Sequence, residues 1–225
     1  MKWFVITSIF FLITAGFCQV SIAGGDCLKV TCVEEEGVQK TEKRSVGAFD
    51  SVDIKGSFHF VLVSGDNCAI EITCDRNLLP NISTEVKNQK LSVFAKKSFC
   101  TTKGIKILIT APDFRSIDAS GSNDIFVKGI DNEGISISLD GAGSMNLSGN
   151  TREFEAHLAG SNHLCAKNLR SGKTSLSIAG SSDAIVYASE VLDISIGGVG
   201  DIKYYGNPKT VLKNIAGIGT IEPGE

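Results

Sequence analysis

One short pattern recurs six times in the second half of the chain, and a repeat of that length permits few folds. Counted on Gly121, Gly141, Gly160, Gly180, Gly198 and Gly217, its steps are 20, 19, 20, 18 and 19 residues, too steady for chance. In each copy apolar and polar residues alternate up to the glycine, a Gly/Ser/Asn corner follows, and alternation resumes: strand, turn, strand. Two residues before the glycine stand Ala119, Leu139, Leu158, Ile178, Ile196 and Ile215, and four after it Ile125, Met145, Leu164, Ala184, Ile202 and Ile221. Period 2 along a strand turns both columns inward together. A unit of about 19 residues cannot bury such a face alone, so neighbouring copies must stack, which is the logic of an all-β β-solenoid. A propeller blade takes roughly 40 residues, and the LxxLxLxxN pattern of a leucine-rich repeat is absent. Six coils spaced by paired strands stack to about 25–30 Å.

The regular repeats cover 117–225. Ahead of them, 52–54, 58–63, 69–72, 90–94 and 105–109 read as strands, with turns at 65–67 and 87–89 and a loop at 77–80. Terminal repeats are atypical, so this half is expected to form the N-terminal coils and irregular cap of the same solenoid. Residues 24–44, with Glu34 to Glu36 and Lys40 to Arg44 highly charged, read as a mobile lead-in tied by Cys27 and Cys32, ahead of a domain over 45–225.

The first residues read as a signal peptide over 1–23: Lys2 at the front, an apolar run from Phe4 to Phe17, and Ser21-Ile22-Ala23 at the cleavage position. A lipid anchor on Cys18 is the competing reading, and Phe17 stands where such a signal wants a small residue. No second apolar run of spanning length follows, so no membrane span is expected after cleavage. Six cysteines remain, Cys27, Cys32, Cys68, Cys74, Cys100 and Cys165. An even number in an exported chain favours disulfides, with fifteen possible connectivities. Their spacings fit neither a CxxC redox motif nor a zinc ribbon. Cys68 and Cys74, six apart on one strand, would be too distant to bond each other.

With 22 Lys plus Arg against 25 Asp plus Glu and no basic cluster, the chain carries no electrostatic footprint for nucleic acid. No serine sits in a GxSxG elbow, and no cofactor motif is legible. One polar column stands out three residues after the glycine: Asp124, Ser144, His163, Asp183, Asp201 and Thr220. Stacking would place His163, Asp183 and Asp201 roughly 5 Å apart, where they could bind a cation or work as acid and base. Opposite parity to the inward position makes a solvated turn column the plainer reading. Gly197-Gly198-Val199-Gly200-Asp201 approaches the calcium-roll GGxGxD, with its Asp one residue early and in a single copy. Tyr204, Tyr205 and Phe126 would make a meagre glycan platform.

The opening Arg44-Ser45-Val46-Gly47-Ala48-Phe49-Asp50-Ser51-Val52 with Gly56-Ser57-Phe58, then Asp75-Arg76-Asn77-Leu78-Leu79-Pro80, Ala111-Pro112-Asp113-Phe114 and the corners from Gly121 to Gly219 together resemble bacterial proteins of the putative auto-transporter adhesin, head GIN domain family. The resemblance covers about 44–225. It implies a right-handed single-stranded parallel β-helix and export to the envelope, and it carries over no catalytic or binding residue. The expectation is an exported, non-enzymatic protein in the periplasm, at the cell surface or secreted, binding an unidentified protein or glycan through its coil faces. Two alternatives stand beside it: a polysaccharide-active β-helix enzyme using the polar column, and a purely structural periplasmic protein.

Overall fold

Alternation of apolar and polar residues dominates 51–223, and in a computed structural model, which describes residues 32–224, nearly all of it is extended chain. The expected signal segment, Cys18 and Cys27 lie outside the described residues. Two small strands, β1 (Val33–Glu34) and β8 (Phe99–Cys100), pair with each other. All other strands join one large open sheet of 13 strands.

In chain order these are β2 (Gln39–Ser45), β3 (Ser51–Gly56), β4 (His59–Ser64), β5 (Ala69–Asp75), β6 (Ile82–Lys87), β7 (Lys90–Ala95), β9 (Lys106–Ala111), β10 (Ser116–Ile178), β11 (Asp183–Tyr187), β12 (Val191–Ile196), β13 (Val199–Tyr205), β14 (Thr210–Ile215) and β15 (Ile218–Pro223). The long β10 passes through the corners at Gly121, Gly141 and Gly160 and lies back on itself, with the Ser144 hydroxyl on Asp124 and the Thr151 hydroxyl on Asn132. Segments before the glycine form one ladder, β6-β7-β3-β10-β12-β14, and segments after it another, β2-β5-β9-β4-β10-β11-β13-β15.

Pairing along the repeats is parallel and in register with the sequence period. His163 pairs with Asp183, Leu176 with Ile194 and Val199 with Ile218, offsets of 20, 18 and 19 residues. The glycine column is also extended backwards, because Gly56 pairs with Gly121. Both expected inward columns are buried, from Ala119 to Ile196 before the corner and from Ile125 to Ile221 after it. Ile215 differs, at 44% exposed, because β14 has a pairing partner on one side alone. The glycines are required by close approach: a Cβ built on Gly141 or Gly160 would strike the carbonyl oxygen of the corner glycine one repeat earlier.

The N-terminal half departs from this parallel pairing. β5 pairs antiparallel with β9 and β2, and β6 antiparallel with β7. The β6–β7 reversal is a two-residue hairpin with Asn88 and Gln89 both at positive φ, the backbone such turns demand. Residues 39–44, expected in a mobile lead-in, instead belong to β2, paired along seven residues with β5. Arg44 anchors this charged edge, donating to the Ile82 and Leu79 carbonyls at 2.7 and 3.0 Å, while Lys43 meets Glu71 at 2.8 Å. Charge on an edge strand discourages pairing with other chains. Of the cysteines, Cys32 is bonded to Cys100, and Cys68, Cys74 and Cys165 are free thiols. Burial pushes the Cys74 thiol up to about 11.

Candidate functional site

Strand alternation sends every second residue outward, so the stack displays columns on each ladder. In the column three residues after the glycine, His163 and Asp183 are register partners and Asp201 follows on β13 in the next repeat. All three are exposed. The two carboxylates are engaged with the following repeat: Asp183 Oδ1 accepts the Asp201 N–H at 3.1 Å, and Asp201 Oδ1 accepts the N–H and hydroxyl of Thr220 at 3.0 and 2.7 Å. The column thus stitches repeat to repeat. No group of three or more His, Cys, Asp or Glu among the described residues is arranged to hold a metal ion. His157 meets Glu155 at 3.1 Å and His59 packs on Phe126. Among the described residues, no histidine has a serine or cysteine partner of the kind nucleophilic catalysis uses.

Beside that column, five residues after the glycine, lies an apolar stripe. Leu108, Val61 and Phe126 are successive register partners, Asn146 interrupts, and Cys165 pairs with Ile185. These side chains are partly exposed, Leu108 at 36%. Exposed Lys106, Lys128, Lys167 and Lys203 rim the stripe. The aromatic residues do not form one platform. Tyr204 packs against the core, Lys167 sits 4.0 Å over the Tyr205 ring, and Arg170 lies 4.4 Å over Tyr187.

The ladder before the corner bears a cleft of about 480 Å³, lined in part by Arg115, Ser136, Glu153, Glu155, Lys173 and Asp193. Its charges are largely spent on one another or on nearby groups: Lys173 meets Glu153 at 3.2 Å, and Arg115 meets Asp113 at 3.1 Å and Asp50 at 3.7 Å. These residues escaped the sequence reading, which followed the column after the glycine. Counting five and seven residues back from each glycine would have lined most of them up.

Two comparisons place this geometry among known proteins. The model of the family described as putative auto-transporter adhesin, head GIN domain, matches residues 48–208. A crystal structure of a putative adhesin from Bacteroides fragilis NCTC 9343 is similar at 23% identity and a TM-score of 0.71, covering 85% of this chain and all of that one. A putative lipid binding protein from Parabacteroides distasonis ATCC 8503 is similar at 20% identity and a TM-score of 0.57, over 87% of this chain and 100% of that one. A putative adhesin from Parabacteroides merdae ATCC 43184 follows at 19% and 0.53, over 86% and 99%. These likenesses are of fold. No curated protein matches the chain. Among the described residues no helix is long and apolar enough to cross a membrane.

Proposed function

The chain belongs to the putative auto-transporter adhesin, head GIN domain family, and on that premise we propose that it is an exported, non-enzymatic binding protein that holds a protein partner at the cell surface or envelope. Its coils, on this reading, form a right-handed parallel β-helix with a repeat of about 19 residues. The observation that carries the binding role is the stripe of Leu108, Val61, Phe126, Cys165 and Ile185 with its rim of lysines. An apolar centre inside a polar rim is the anatomy of a protein interface. A sugar would need open aromatic faces to stack on, and Lys167 and Arg170 cover those of Tyr205 and Tyr187, which favours a protein over a glycan. The column carboxylates favour binding over catalysis, since they already accept backbone N–H groups. The Cys32–Cys100 disulfide supports export.

The test is adhesion of beads coated with the folded chain to intact cells before and after surface proteolysis, and after periodate treatment. Wild-type beads are expected to lose attachment on proteolysis. The double variants Phe126→Ser with Ile185→Ser, and Lys128→Glu with Lys203→Glu, are expected to attach weakly at an unchanged urea midpoint. Undiminished attachment of both variants would remove the stripe from the account. Loss on periodate alone would make the partner a glycan, and binding to protein-free vesicles would make it a lipid.

A further inference from the structure

The two outward ladders carry opposite charge that the chain leaves unneutralised. After the glycine, the exposed Lys106, Lys128, Lys167 and Lys203 rim the apolar stripe. Among the described residues, ion pairs engage Lys43, Lys55, Lys87, Lys90 and Lys173, and none of the four rim lysines. Before the glycine, the cleft has the converse surplus. Its cations are taken, Lys173 by Glu153 and Arg115 by Asp113 and Asp50, while Glu155, in contact with His157, and Asp193 meet no Lys or Arg. Past Arg115 and Gly134 the cleft runs into a second hollow of about 520 Å³, where Asp131 is likewise without a cation. The rim lysines and these carboxylates stand on different ladders, so within one chain they form no pair.

The apolar parts of the two surfaces match as well. The stripe is a row of side chains, with Phe126 and Ile185 among them. The cleft, at about 480 Å³, has Ile135 and Phe154 in its wall, each 2% exposed, and Val191 beside them. That volume lies in the range of pockets that enclose small ligands, so side chains as large as Phe126 fit. The spacing of the charges also agrees. Lys128 and Lys167 stand seven residues after their glycines and two repeats apart, and Glu155 and Asp193 stand five before theirs, again two repeats apart. Paired strands lie about 4.8 Å apart, so each pair of charges spans about 10 Å. Two copies share this period, so one contact in register brings the next with it.

We propose that the protein partner is a second copy of this chain, whose lysine-rimmed stripe seats in the acidic cleft of its neighbour. The inference rests on the stripe being a binding surface, as proposed above, and names what it binds. Complementary potentials select a partner and speed its encounter, whereas stripe against stripe would set lysine against lysine. Contact of stripe with cleft is heterologous: a pair of copies still offers one free stripe and one free cleft, so copies on two opposed surfaces can link and go on linking.

The test uses beads coated with the folded, disulfide-intact chain, with no cells present. Wild-type beads are expected to aggregate at about 0.05 M salt and to lose aggregation by about tenfold or more at about 1 M, where charges are screened within about 3 Å. This series needs no variant to fold. Glu155→Lys with Asp193→Lys, and Lys128→Glu with Lys167→Glu, are each expected to leave beads dispersed at an unchanged urea midpoint. Mixed in two colours, the two variants are expected to aggregate with each other, since each supplies the charge that the other has lost. Wild-type beads that stay dispersed yet attach to cells would overturn the second copy as partner and leave the binding role standing; beads that do neither would overturn both. Aggregation that is unchanged by salt or persists in either variant would overturn the charge pairing, as would a mixture that stays dispersed.

Discussion

Replacing Gly160 by alanine tests the corner geometry most directly, because two separable costs meet there. Gly160 has φ +96°, and its added Cβ would strike the Gly141 carbonyl oxygen. The positive φ alone costs an alanine about 1–2 kcal/mol. Forcing an atom into a packed backbone contact costs about 1–3 kcal/mol more. The sum is about 2–5 kcal/mol, a large share of the stability of a natural domain. Two controls split the sum. Gly104 has φ +70° with nothing within 4 Å of its Cβ position, so Gly104→Ala pays the backbone cost alone. Gly180 is without a left-handed φ but its Cβ would strike the Gly160 carbonyl oxygen, so Gly180→Ala pays the contact alone. Urea unfolding followed by far-UV circular dichroism gives the midpoints, with unchanged m-values required for the comparison. The order expected is Gly160→Ala least stable, with Gly104→Ala and Gly180→Ala between it and wild type. If Gly160→Ala falls within about 0.5 kcal/mol of Gly104→Ala, close stacking of successive corners is refuted.

Phe154→Ala, in a side chain 2% exposed at the inward face of β10, is expected to cost about 3–5 kcal/mol by urea titration. Cys32→Ser with Cys100→Ser opens a link spanning 68 residues and is expected to cost about 4 kcal/mol in the chain-entropy model, read as a lowered midpoint equal to that of reduced wild type. Asp201→Ala removes two hydrogen bonds to Thr220 and is expected to lower the melting temperature more than His163→Ala does. Under iodoacetamide at pH 8, native Cys74 is expected to stay unlabelled, because burial holds its thiol near 11. Since that folded value lies above the ordinary thiol range, the associated stability is complete below pH 9 or so and lost as pH rises toward 11; labelling at pH 8 without denaturant would refute the burial.

The inward columns were legible because two independent signals agree on them: the glycine spacing sets the corner, and period 2 counted from it sets which side chains face in. Strand direction was not legible. The alternation in 69–75 reads the same whether β5 runs parallel or antiparallel to its neighbours, and the reversal into β7 rests on Asn88 and Gln89 adopting positive φ without a glycine to announce it. β2 was missed for a different reason. Its sequence, QKTEKRS, has no apolar face, and it is a strand because β5 offers it an open backbone edge and Arg44 finds the carbonyls of Ile82 and Leu79. The Cys32–Cys100 pairing depends on which chain segments meet, which no spacing reports. Asp75 entered the sequence reading only as the first residue of the Asp75–Pro80 motif, because burial without a partner is a property of the packed structure.

The same period that makes the core repetitive makes the surface columnar, and the two kinds of column are under different physical constraint. Before the corner, the position two residues ahead of the glycine is Ala, Leu or Ile in every copy, and from Ala119 to Ile196 it is buried, where a polar side chain would lack a partner. The outward position five residues ahead runs Ser116, Ser136, Glu155, Ser175, Asp193 and Leu212, with no chemistry held constant, because water accepts any of them. A likeness of fold therefore speaks for the inward columns and the corners. On the proposed binding role, partner choice rests on outward residues, most of which can change without disturbing the strand pairing, so the ligand has to be read from this chain's own stripe, rim and cleft.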